Sequence, residues 1–386
     1  MKRFLLLGLA LLLLGSAVFA DDAKVMPLRT GRLSLAPSFT MGDKSFSGDG
    51  IRGSNETLLG SGAIKAFNFG AALEYGITSW LTGAIQWAPG INAWSDVDTM
   101  VPYIGSTGLE YSTSEVRALD VGDLFVGAKM QILGKDGLSK NDNVRIALAP
   151  GIKIPFGGPK FDDQYANAKN GDKVTAGTMD NHSLGLGLRS YIDFVINDKF
   201  FINFYNEALM YATKRDFKKA GYTEYLISDA LDQMNDFYTL LGNTGKLFEY
   251  GKVSYGYELT FEIEPVFSTP IGPVLFTASM PLTLKTTPGK KYDFTYDIAD
   301  VVAFATDPVV VGAGQTTAVY TALGMVQGLE ERKPTNSFSI NPGVAFMFYK
   351  WKVPFEFEFN YKAPIWGENT GANHSFIFVA KMFFKF

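Results

Sequence analysis

The stretch VPFEFEFNYK, residues 353–362, puts Val353, Phe355, Phe357, Phe359 and Tyr361 on one side of an extended strand and Glu356, Glu358, Asn360 and Lys362 on the other. Successive side chains of a strand point to opposite faces, so one face is aromatic and the other charged. The pattern recurs along the chain. VSYGYELTFEIEP (253–265) sets Val253, Tyr255, Tyr257, Leu259, Phe261 and Ile263 against Glu258, Glu262 and Glu264, and HSLGLGLRSYIDFVI (182–196) sets Leu184, Leu186, Leu188, Ile192 and Phe194 against Arg189, Tyr191 and Asp193. Runs of this kind are longer than a typical strand of about 5 or 6 residues. They match the roughly 9 to 11 residues that a tilted strand needs to cross a bilayer.

Alternation alone fits a soluble sandwich as well as a membrane barrel. Three features decide between them. The apolar row is aromatic along nearly every strand. The chain opens MKRFLLLGLALLLLGSAVFA, with Lys2 and Arg3 before an apolar core and small residues around Ala20, which reads as an export signal over 1–20. It closes FIFVAKMFFKF on Phe386, similar to the terminal strand of outer-membrane barrels, although Lys381 stands where that pattern commonly has Gly. The barrel assembly machinery and outer-membrane lipid are therefore expected partners, and residues 21–386 are expected to form the barrel.

Composition agrees. The chain is 47% hydrophobic and 14% aromatic, with 32 Phe and 18 Tyr but only 19% charged residues. Zero cysteines exclude disulfides, thiolate ligands and a thiol nucleophile, and with two histidines neither a metal site nor a cofactor is expected. A net charge of -4 without a basic patch gives no nucleic-acid partner.

Twelve alternating segments are expected, near 31–40, 64–76, 80–89, 121–133, 143–155, 182–196, 199–212, 252–265, 272–286, 337–349, 351–363 and 374–386. Short and long connections alternate between them, as in an outer-membrane barrel with short periplasmic turns and long outer loops. The fold class is thus all-β: a transmembrane antiparallel up-and-down barrel of 12 strands, with helices in long extracellular loops. A further hairpin inside 287–336 would make it 14. Pro150, Pro342 and Pro354 fall within strands, where each removes a ladder donor, so bulges or rim positions are expected there.

Because cations at mid-bilayer cost about 2–4 kcal/mol, the charged row must face the lumen. It includes Arg145, Lys153, Arg189, Glu207, Glu258, Glu262, Glu356, Glu358 and Lys381. Small inward residues such as Gly127, Gly151 and Gly187 leave room for a narrow wet passage, the alternative being charges paired into a closed polar filling. In the loops, 224–242 and 316–332 carry apolar residues at helical spacing. Leu226, Leu231, Met234, Phe237 and Tyr238 on the first, with Val319, Leu323 and Val326 on the second, are the candidate ligand-binding residues. They pack on each other over the mouth, or meet an amphiphile, or both.

The runs LEYGITSWLTGAIQW (73–87), DVGDLFVGAKMQIL (120–133) and VRIALAPGIKIPFGG (144–158) resemble the outer-membrane long-chain fatty-acid transporter (FadL) family and its aromatic-compound channel relatives. The likeness lies in strand texture. It implies passive uptake of hydrophobic molecules through a barrel with helical outer loops. Two departures stand out: that family has fourteen strands and an N-terminal plug, whereas here the first strand begins near Gly31 and leaves little chain for a plug.

Catalysis finds little support. The triplets Asn181-His182-Ser183 and Asn373-His374-Ser375 place each His beside a Ser, but neighbours on an extended strand point to opposite faces, so neither His readily serves as base to its Ser. The expectation is a passive, non-enzymatic outer-membrane channel for small hydrophobic or amphipathic molecules such as long-chain fatty acids. A general polar-solute porin, or a surface adhesin or receptor acting through its loops, is the alternative.

Overall fold

Alternating runs become strands, and the strands close on themselves. The computed structural model describes residues 22–55, 61–98, 101–105, 108–112, 120–156, 158, 161–172, 181–330 and 334–385; the export signal over 1–20 and Phe386 lie outside them. The barrel strands are β1 (Thr30–Gly42), β2 (Ile64–Gly76), β3 (Leu81–Val97), β4 (Leu124–Leu133), β5 (Val144–Ile154), β6 (Gly185–Asn197), β7 (Phe200–Tyr211) and β8 (Tyr257–Ile271). They continue as β9 (Val274–Ser279 and Leu282–Thr287), β10 (Thr335–Ile340 and Gly343–Phe348), β11 (Phe355–Glu368) and β12 (His374–Lys385). Every neighbouring pair is antiparallel, and β12 pairs with β1, so no strand edge is left open.

The outer wall is greasy. Leu188 is 50% exposed, Phe261 46% and Phe357 51%, and such residues recur on the outward face of strand after strand. A continuous apolar belt of that size is not sustained in water, and lipid is its solvent. Inward neighbours of the same strands, Glu262, Asp193 and Asn360, are buried.

Prolines mark where the ladder is interrupted. β9 breaks at Met280-Pro281 and β10 at Asn341-Pro342, at matching heights, with Asn341 N–H donating to the Pro281 carbonyl at 2.8 Å and Tyr361 N–H to that of Pro342 at 3.0 Å. Pro354 sits at the short-turn rim, its carbonyl accepting from Phe383 N–H at 3.0 Å. Pro150 differs from expectation: it lies opposite Leu188 in unbroken register. Each residue of an antiparallel strand donates toward one neighbour only, so a single proline there costs one bond without shifting the pairing.

Several boundaries also differ: β3 runs on to Val97 and β11 spans Phe355–Glu368, both further than the alternation marks. β8 begins at Tyr257, not near 252, because Gly256 adopts φ +69° and turns the chain, so that Val253 enters a separate three-stranded sheet. The 287–336 connection holds helices and one short strand (Lys291–Thr295) that joins this outer sheet, so the barrel count stays at twelve.

The loops condense into a dome. Besides the sheet of Arg215–Asp216, Glu249–Ser254 and Lys291–Thr295, it contains α2 (Tyr222–Leu240), α3 (Ile298–Ala305), α4 (Pro308–Gly312) and α5 (Thr316–Glu330), with α1 (Phe161–Asn170) from the β5–β6 loop alongside. Asp297 and Asp307 cap α3 and α4 by accepting from Ala299 N–H and Val309 N–H, and Pro308 occupies the first turn of α4. The Phe161 ring packs 6.3 Å from Tyr222, tying α1 to α2.

Candidate functional site

Register decides which charges meet in the lumen. Arg189 lies opposite Glu207, Arg145 opposite Asp193, Arg32 opposite Glu74 and Lys381 opposite Glu356 on adjacent strands. Directly opposed residues have side chains within reach of each other. The pairs form accordingly: Arg189 Nε to Glu207 Oε1 at 2.7 Å, Arg145 Nε to Asp193 Oδ2 at 2.7 Å, and Lys381 Nζ to Glu356 Oε1 at 2.8 Å and Glu358 Oε2 at 2.6 Å. Glu258 takes Lys285 at 2.8 Å and the Tyr211 hydroxyl at 2.7 Å, and Lys153 lies 3.5 Å from that hydroxyl. Glu262 accepts from the Thr283 hydroxyl at 2.6 Å. All nine candidate lumen residues are thus buried or half-buried, each with a polar partner. Buried charge demands such pairing.

Inward glycines do not leave open space. A Cβ on Gly151 would stand 2.2 Å from the Phe125 ring and one on Gly187 2.8 Å from it. Phe125 fills that hollow, with the Arg189 guanidinium 4.0 Å above its ring centroid. Sequence reading passed over this aromatic because its strand alternates imperfectly.

The chain's first described residues enter the lumen from the short-turn end. Ala23 N–H donates to Asp193 Oδ2 at 3.1 Å, Met26 N–H to Thr82 Oγ1 at 2.8 Å, Lys129 Nζ to the Asp22 carbonyl at 3.0 Å, and Gln131 Nε2 to the Ala23 carbonyl at 2.9 Å. Thus, among the described residues, 22–26 occupy the lumen floor, where sequence reading saw too little chain for a plug. A few backbone groups suffice once inward polar side chains satisfy them. Beside this segment lies a cavity of about 440 Å³. Its wall mixes the charged pairs of Arg32 and Lys381 with Met26, Val266, Leu275, Met347 and Phe383.

At the outer mouth, His182 is buried at φ +46°, with Nε2 3.0 Å from Asp120 Oδ2 and Nδ1 3.0 Å from Asp123 Oδ1. Burial disfavours its charge, but the hydrogen bonds to both carboxylates outweigh that and hold the imidazole pKa up at about 9. Ser183 instead donates to the Asn181 carbonyl, and His374 lies against Tyr361 and Arg52. Neither His faces the Ser of its own triplet.

Seven of the eight candidate ligand-binding residues belong to the dome core. Leu231, Val319, Leu323 and Val326 are buried there, and Met234, Phe237 and Tyr238 pack against it, whereas Leu226 is buried outside that cluster. Phe304 of α3 joins Phe237 and Tyr238, at 5.9 and 5.0 Å between ring centroids. The structure thus packs the two helices' candidate side chains together, with Met234, Phe237 and Tyr238 half-buried at the margin of the cluster. Glu224, also buried, receives Lys290 at 3.0 Å and the Tyr292 hydroxyl at 2.8 Å.

No protein-family model and no curated protein matches the chain. Solved structures do: an outer membrane channel of Pseudomonas putida F1 overlays with a TM-score of 0.54 at 11% identity, covering 95% of this chain and 100% of that one. The chain has the fold of outer-membrane channels. Looser overlays include the monoaromatic hydrocarbon channel CymD (TM-score 0.37, 8% identity, 99% and 98% covered) and a Pseudomonas aeruginosa FadL homologue (0.32, 9% identity, 94% and 91% covered). The likeness of this outer-membrane β-barrel to them is one of fold, at 8–11% identity.

Proposed function

We propose that this barrel is a passive outer-membrane channel for small hydrophobic or amphipathic molecules, with no chemistry of its own. The observation that carries the reading is the cavity of about 440 Å³ inside the barrel, walled by both apolar side chains and paired charges. Its size suits a small organic solute, and its mixed wall suits an apolar body with a polar end. Long-chain fatty acids, the solute that the sequence resemblance implies, and the monoaromatic compounds named for CymD are the two classes to compare. In this reading the export signal over 1–20 and the terminal strand deliver the chain to the assembly machinery and the lipid. The candidate ligand-binding residues of α2 and α5 act as the roof of the channel, which parts to admit the solute.

Organic extraction of protein purified from its native membrane, followed by mass spectrometry, tests the reading. An apolar or amphipathic small molecule at near-stoichiometric occupancy is expected, together with little ion conductance in planar bilayers. Steady open-pore conductance without any bound molecule would overturn it in favour of a general polar-solute porin.

A further inference from the structure

A polar pair interrupts the greasy outer wall at mid-height. Along β6, Leu186, Leu188 and Phe194 are exposed while Tyr191 and Asp193 are buried, and along β7, Ala208 and Met210 are exposed while Asn203 and Leu209 are buried. Side chains alternate between faces, so Ser190 and Asn206 belong to the outward rows. They lie directly opposite each other in register, near the middle of strands spanning Gly185–Asn197 and Phe200–Tyr211. Leu148 of β5 and Phe261 of β8 flank them across the sheet. Lys65 and His374, outward polar residues of other strands, stand instead at strand ends, where water and headgroups are within reach. The Asn206 amide uses one N–H on the Ser190 hydroxyl, at 3.2 Å. Its second N–H and its carbonyl oxygen have no partner among the described residues. Hydrocarbon offers none, and a polar group left unmade there is costly.

We propose that the β6–β7 face docks a second copy of this chain within the membrane, about a two-fold axis close to Asn206. The remaining donor and acceptor make the amide its own complement. Across a two-fold axis two such amides satisfy each other, each giving one hydrogen bond and accepting one. A lipid chain cannot do this, and an unrelated protein would need a matching group at the same depth. Ser190 and Ala208 are small beside Leu188, Ile192 and Phe204, so the two walls can approach closely enough for the amides to meet. The short turn below carries a second self-complementary pair. Asp198 and Lys199 are exposed, and neither side chain has a partner among the described residues. About the same axis, Asp198 of each copy meets Lys199 of the other, a contact that fixes orientation more than it adds stability. Because the same residues serve both copies, the assembly closes at a dimer.

The chain contains no cysteine, so single introduced cysteines report proximity without background. In native outer membranes treated with copper phenanthroline, Ala208→Cys is expected to give a band of twice the monomer mass, and Leu35→Cys, on β1 across the barrel, none. Energy transfer between dye-labelled copies of the refolded full-length barrel, followed over a range of protein-to-lipid ratios in vesicles, gives the dissociation constant. Asn206→Leu keeps the side-chain size and removes both polar groups, and is expected to weaken association about tenfold. Asn206→Gln, which retains the amide, is expected to keep most of it. The shift between unboiled and boiled electrophoretic bands verifies that each variant folds. Absence of a cross-link from Ala208→Cys, equal cross-linking from Leu35→Cys, or a product of another mass would overturn the proposal. So would a monomer at every protein-to-lipid ratio, association unmoved by Asn206→Leu, or an equal loss in Asn206→Gln.

Discussion

Lys381 on the last strand and Glu358 on the strand before it meet at 2.6 Å, with Glu356 completing the triad at 2.8 Å. Lys381 stands where terminal strands of this kind commonly carry glycine, and the triad explains its presence: the two glutamates of the VPFEFEFNYK row need a cation, and register places it opposite Glu356 and diagonal to Glu358. Replacing Lys381 by Met leaves two carboxylates facing each other in the wall. The expected loss is about 3 kcal/mol, near the low end for breaking a buried pair because Glu356 keeps some contact with water. The triple variant K381M/E356Q/E358Q is expected to recover most of it. Urea titration of the protein folded into lipid vesicles measures both.

The lipid-facing frame predicts an asymmetry between adjacent positions of β8. Ile263→Arg puts a cation into hydrocarbon and is expected to cost about 2–4 kcal/mol and to lower folding yield in vesicles. Spin labels at Phe261 and Phe357 are expected to be accessible to oxygen and shielded from a water-soluble relaxation agent. An aqueous setting at either position would contradict the frame.

His182 makes the outer mouth sensitive to alkali. Its pKa in the folded protein is raised to about 9 from an ordinary 6.5, so the stability it contributes is fully present below about pH 6.5 and is lost as pH rises through 9. Carbon-13-labelled histidine gives two signals, and His374→Gln assigns the one left as His182. A titration midpoint near 9 is expected. His182→Gln is expected to loosen the β3–β4 and β5–β6 loops at pH 7, with the difference from the unaltered protein vanishing near pH 10, as read by amide hydrogen exchange.

The dome should unfold separately from the barrel. Leu231 is fully buried in it, and Leu231→Ala is expected to cost about 2–5 kcal/mol locally. Protease cleavage within 212–256 is expected to rise sharply while the band shift on heating, a property of the barrel, persists.

Most of the barrel was legible because lipid and lumen impose a period of two on every strand, and the cost of misplaced charge fixes which row faces inward. That logic located nine of the twelve strands within about three residues at each end, while β3, β8 and β11 run on further than the pattern marks, and it put Lys381 in the same inward row as Glu356 and Glu358. It failed where a local conformation overrides pattern: alternation runs straight through Gly256, yet its positive φ hands Val253 to the dome. The short helices α3 and α4 went unread although Asp297 and the Asp307-Pro308 pair are capping signals, since both are too brief to show periodicity. The mutual burial of α2 and α5 was open in sequence, because an amphipathic face does not name what covers it. Nothing in the sequence around Asp22 to Met26 announces a lumen occupant, since its contacts are made largely by backbone groups.

Those backbone contacts give the last prediction. Four strands contribute to holding residues 22–26: Asp193 from β6, Thr82 from β3, and Lys129 and Gln131 from β4, with Phe201 of β7 placed 5.4 Å beneath Lys24. Residues 22–26 thus take up lumen cross-section that would otherwise hold water, and they supply one wall of the cavity. Replacing residues 22–26 by Gly-Ser repeats of equal length removes Lys24 and Met26 and weakens the fit of Ala23 against Asp193. Flexible linkers resist confinement because ordering each residue costs about 1–2 kcal/mol of backbone entropy. The variant is expected to conduct ions several times better than the unaltered barrel in planar bilayers, with unchanged heat-shift behaviour. Conductance equal to that of the unaltered protein would show that the constriction lies higher, in the Arg189, Glu207 and Phe125 layer, and that the N-terminal segment does not limit passage.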